Sequence, residues 1–62
     1  MKAKYIPTWD IFELTWSVYL RHEDDSLWIA VSYLVWDETF TNEFPVNEET
    51  WEIIHPDYIL IP

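Results

Sequence analysis

Between Phe12 and Arg21 the hydrophobic positions recur at every second residue. Phe12, Leu14, Trp16, Val18 and Leu20 form one row, and Glu13, Thr15, Ser17, Tyr19 and Arg21 the other. A period of two predicts a half-buried strand, because successive side chains leave a pleated backbone on opposite sides. The polar stretch His22 to Ser26 reads as a hairpin loop. Leu27 to Trp36 is then apolar in both rows, with Leu27, Ile29, Val31, Tyr33 and Val35 alternating with Trp28, Ala30, Ser32, Leu34 and Trp36. Its β-branched and aromatic content predicts a central strand covered on both sides. A helix capped by Asp25, with Leu27, Ala30, Val31 and Leu34 on one stripe, is the competing reading.

Thr39 to Phe44 is short enough for a third strand. Asn47 has the side chain of a helix N-cap, and Glu48 and Glu49 follow where a helix dipole favours negative charge. Trp51 and Ile54 would face the core, and Pro56 would end the helix. Tyr58 to Ile61 reads as a final strand. The pattern therefore predicts an α+β domain: a small antiparallel sheet of three to four strands, built on a hairpin over about 11–36, with one short helix over about 48–55.

Composition sharpens this picture in two ways. Glycine is absent, so tight turns must fall to Asp, Asn or Pro, with candidates at Asp24-Asp25, Asn42, Pro45 to Asn47 and Pro56-Asp57. Cysteine is also absent, which excludes disulfides and thiolate metal sites. The 62 residues predict a single domain, and a chain this short buries only about 60% of its unfolded surface. Twelve aromatics, five of them Trp, are more than such a domain can hide, so some are expected at the surface or in an interface.

Charge changes the picture most. Twelve Asp and Glu stand against three Lys and Arg, a formal net charge of −9. From His22 to Pro62 there are ten carboxylates and no Lys or Arg. With half of the residues hydrophobic, the chain is expected to fold in spite of this self-repulsion. The first ten residues lack the apolar run of a signal peptide, and Leu27 to Trp36 is too short to span a bilayer, so a cytoplasmic location is expected. An acidic surface also disfavours anionic membranes and direct contact with nucleic acid.

Little in the chain suggests catalysis. There is no Cys nucleophile, and without Gly there is neither a nucleophile elbow nor a phosphate loop. His22 and His55 each lie beside carboxylates, but the run after His22 lacks the spaced ligands and glycine turn of a calcium loop. No enzyme, metal or cofactor is expected.

What remains is a binding surface. Same-face residues on a strand repeat at about 6.6–7 Å, an interval comparable with the phosphate spacing of a nucleic-acid strand. Carboxylates displayed in that way can engage the Lys and Arg of a nucleic-acid cleft, with electrostatically steered association. The candidate partner-binding residues are Glu23, Asp24, Asp25, Asp37, Glu38, Glu43, Glu48, Glu49 and Glu52. Trp28 and Trp36 are the aromatic anchors, with Trp9 beside them, since Trp is a typical hot-spot residue. In length and composition alone, the chain is similar to the small acidic inhibitors by which phages disable host nucleases, glycosylases, restriction enzymes, CRISPR effectors or polymerases. That likeness implies a basic, nucleic-acid-binding protein as partner and blockade, as a DNA or RNA mimic, as function. Two alternatives share the same features: an obligate subunit or homodimer joined through the Leu27 to Trp36 faces, and an antitoxin-like protein neutralising one basic partner.

Overall fold

A computed structural model describes all 62 residues. It contains five strands: β1 (Lys2–Tyr5), β2 (Asp10–Arg21), β3 (Leu27–Val35), β4 (Glu38–Pro45) and β5 (Tyr58–Ile61). They form one antiparallel sheet in the order β4-β3-β2-β1-β5. The fold is all-β, which corrects the expected α+β class and adds a strand to the expected three or four. No helix is present, and so none is long and apolar enough to cross a membrane.

The helix expected over 48–55 fails for a local reason. Asn47 does cap a turn: its Oδ1 accepts hydrogen bonds from the N–H of Glu49 (2.8 Å) and Thr50 (3.4 Å), and its carbonyl accepts one from Trp51 N–H at 2.7 Å. Trp51 then takes φ 63°, in the left-handed region that ends a helical turn. The chain reverses, Asn47 N–H donates to Glu52 O at 2.8 Å, and Val46 pairs with Ile53. One turn was legible, but Ile53 and Ile54 are β-branched and do better extended.

The alternating segment is a strand, yet its apolar row does not lie on one face. Leu14 pairs with Tyr33 while Trp16 pairs with Ser32, so a bulge at Thr15 takes up one residue. Tyr33 and Ser32 are consecutive and point oppositely, and the bulge therefore turns Leu14 inward and Trp16 outward. Thr15 is tied there by a bond from Oγ1 to Ser32 O at 3.2 Å. Beyond it Ser17, Tyr19 and Arg21 lie on the inner side, opposite Val31, Ile29 and Leu27.

This bend lets β2 serve two layers. Its first four residues pair with β1, and its remainder pairs with β3. The β1–β5 ribbon is thereby folded over the inner face of β3 and β4, where Tyr58 meets Phe44 at 5.1 Å between ring centroids. Between the layers lies the core of Leu27, Ile29, Val31, Phe44 and Val46, with Leu14, Ile53, Tyr58 and Leu60 packed against it. β3 is the central strand of the larger layer as expected, but only its inner face is covered. No layer of the chain lies over the other face.

Turns without glycine are made by residues that accept φ > 0 at a cost. Trp9 (63°), Asp25 (68°), Trp36 (59°) and Trp51 (63°) occupy the left-handed region. Asp25 follows from the sequence; three tryptophans do not. The two sheet edges also differ. The outer side of β4 is partly covered by the Val46–Ile53 bridge and by Ile54 N–H donating to Pro45 O at 2.7 Å. On β5, the register with β1 and the bond from Ile6 N–H to Asp57 O (2.8 Å) turn the N–H and C=O of Tyr58 and Leu60 toward the open edge.

Eight buried residues carry this fold, so each counts for much. Ile29 has 0% of its surface exposed. Ile29→Ala is expected to cost about 2–5 kcal/mol in urea denaturation, whereas Leu34→Ala on the uncovered face should cost less than about 1 kcal/mol.

Candidate functional site

The hairpin turn 22–26 brings its acids to one end of the sheet because β2 and β3 reach their last pair at Arg21 and Leu27. The 47–52 turn arrives at the same end, where Trp51 packs edge-on against Tyr19 at 5.0 Å. Glu43 joins them from β4. Seven of the nine carboxylates singled out from the sequence thus share one pole: Glu23, Asp24, Asp25, Glu43, Glu48, Glu49 and Glu52. Asp37 and Glu38 do not. They lie at the far end of β3, about 30 Å away by strand length.

Arg21 organises the pole. Its Nη2 donates to Glu48 Oε1 at 2.6 Å, and its Nη1 donates to Asp25 O at 2.9 Å with Asp25 Oδ1 at 3.9 Å. The bond from Glu48 raises the guanidinium's pKa, so Arg21 itself stays charged throughout the working pH range. His22 stacks on Trp28 with centroids 4.6 Å apart, and its Nε2 lies 2.9 Å from Glu43 Oε1. Trp28 is held from its other end by Nε1–H donating to Ser26 Oγ at 2.8 Å. Trp28 is therefore a half-buried strut of the pole and not a free anchor. Asp24 accepts from Ser26 Oγ (2.5 Å) and Ser26 N–H (3.1 Å), bonds that lower its pKa.

Four of the seven acids are thus fixed by neighbours, while Glu23, Glu49 and Glu52 form no ion pair. Beside Glu23 lies an open hollow of about 700 Å³ lined by Leu20, Arg21, His22, Glu23, Asp24 and Glu43. No three His, Asp or Glu side chains converge as a metal-ligand group. No family model, no curated protein and no solved structure matches the chain.

Trp36 is placed differently from what its row suggests. Val35 pairs with Glu38, so Trp36 and Asp37 form the two-residue turn between β3 and β4. The side chain is 95% exposed and takes part in no aromatic or cation contact. Trp9 shares its left-handed backbone but has the Lys4 ammonium 4.0 Å above its ring. A second concavity, of about 540 Å³, opens between β2 and β5 and is lined by Tyr19, Trp51, Ile53, Tyr58 and Leu60, with Glu52 at its rim.

The organising roles of Arg21 and His22 escaped the sequence reading, although Arg21 being the lone cation after Lys4 was a usable signal. Trp16 was missed as an exposed residue because the bulge has no marker such as Gly or Pro.

Asp24 offers a direct check. Its carboxyl is lowered by Ser26, so it contributes stability above the ordinary carboxylate range and loses it as pH falls through the lowered value. Ser26→Ala should move the Asp24 carboxyl titration, followed by NMR, back up toward 3.8.

Proposed function

We propose that this chain is a small acidic binding protein that occupies the basic, nucleic-acid-binding surface of another protein and blocks it. The observation that supports this reading is the gathering of seven carboxylates at a single pole, two of them against Arg21. A charge serving only solubility gains nothing from concentration, since like charges brought together repel. Here Arg21 offsets part of the cost beside Glu48 and Asp25, and short contacts from Arg21 and His22 hold Glu48 and Glu43 in place. Preorganised acids lose little entropy on meeting the lysines and arginines that otherwise neutralise phosphates. Such a protein acts as a nucleic-acid mimic in the cytoplasm, as the phage inhibitors similar to it in composition do.

The exposed Trp36, flanked by Asp37 and Glu38, supplies an aromatic anchor at the other end. A bulky residue at φ 59° is disfavoured relative to glycine, and Trp36 gains no contact within the chain in return. Strain of this kind without local compensation is typical of positions kept for function.

Two measurements test the reading. Pull-down from a host lysate should recover a basic or nucleic-acid-binding protein at low salt and lose it at high salt. Glu23→Lys and Glu49→Lys, which break no internal pair, should each weaken that recovery. A catch without such a protein, or one indifferent to both substitutions, would rule the pole out. Trp36→Gly is expected to raise folding stability by about 1 kcal/mol while weakening partner binding; a variant that is stabilised and binds as before would remove Trp36 from the interface.

A further inference from the structure

The outer face of β2, β3 and β4 is uncovered and apolar. Trp16 is 52%, Val18 41% and Leu34 55% exposed, while the small Ala30 and Ser32 between them keep the centre low. The face carries few ionic groups and each has a partner: Thr39 and Thr41 continue it on β4, Glu43 lies against His22 at one end, and Glu13, beside Leu34, lies 3.9 Å from Lys2 at the other. In a chain of net charge −9 this is the surface with the least unbalanced charge. A basic partner chosen by charge finds nothing to match here. A second copy of the chain does, because neutral faces can meet while the acids stay at the ends.

We infer that this face joins two copies of the chain in solution. Three strands spaced about 4.8 Å apart over nine residues present about 400 Å² in projection. Allowing for the relief of the side chains, two such faces remove on the order of 1,000 Å² from water, the lower bound of a specific interface and enough for a concentration-dependent dimer. Electrostatics selects the arrangement. A two-fold axis crossing the strands sends the two seven-carboxylate poles to opposite ends, separated by well over the Debye length of about 8 Å. With the axis between the Trp16–Ser32 and Val18–Ala30 pairs, Trp16 of one copy lies on Val18 of the second, and Leu34 lies on the second copy's Trp28. The poles and the Trp36 turns remain free, so this inference stands independently of the function proposed above.

Sedimentation of the intact chain over about a hundredfold range of concentration tests it. The mass should rise from 7.6 kDa toward twice that value, and added salt should strengthen association by screening the repulsion between chains. Binding to a basic partner weakens with salt, so the two readings fail separately. Trp16→Asp and Leu34→Thr should each weaken the dimer about tenfold or more with the amide NMR spectrum of the fold retained. If Trp16→Asp unfolds the chain, Leu34→Thr, which keeps a strand-favouring residue, carries the test alone. A monomer at every concentration overturns the inference. So does a dimer that dissolves in salt or is indifferent to Leu34→Thr.

Discussion

The bulge at Thr15 is the constraint on which the other features rest. A regular β2 would carry its whole apolar row to one side, leaving Arg21 and Tyr19 on the opposite face from Leu27 and Ile29. By absorbing one residue, the strand hands Phe12 and Leu14 to the core and Tyr19 and Arg21 to its rim. The same step throws Trp16 and Val18 outward, bends β2 so that β1 and β5 close over β3 and β4, and brings Arg21 within reach of Glu48. Core, acidic pole and bare outer face are three results of one inserted residue.

Much of the strand layout was legible because alternation survives in the chain wherever one face is buried. The β2–β3 hairpin, the short β4 and the terminal β5 all follow from it. β1 did not, since Lys2-Ala3-Lys4-Tyr5 buries only Ala3 fully and shows no apolar row. The helix misreading came from a true local signal: Asn47 caps a turn, and only the left-handed Trp51 shows that the turn goes no further. For the site, the acids were legible as a group but their division was not. Asp37 and Glu38 are close in sequence to Glu43 and sit at the other end, because a two-residue turn lies between β3 and β4.

Tryptophan plays four parts in so small a molecule. Trp28 braces His22, Trp51 closes a turn against Tyr19, Trp9 lies under Lys4, and Trp16 and Trp36 face solvent. Sequence weighs these residues alike as large and apolar. Only their partners distinguish a strut from an anchor, and those partners are set by register rather than by composition.

The open edge of β5 has a consequence for solution behaviour. Tyr58 to Ile61 is wholly uncharged, and the backbone groups of Tyr58 and Leu60 point outward with nothing to cover them. Natural sheets guard such edges by keeping the strand short or with an inward lysine, a proline or a bulge, and within its four residues this strand has only its shortness. A second guard is collective: mutual repulsion between highly negative molecules. That protection is a function of acidity, and it vanishes near pH 4.2, where the chain carries no net charge. In that range only the shortness of the strand and the flanking Pro56 and Pro62 stand between the open groups of Tyr58 and Leu60 and the backbone of a neighbouring molecule, so the carboxylates that shape one pole also guard the opposite margin of the sheet.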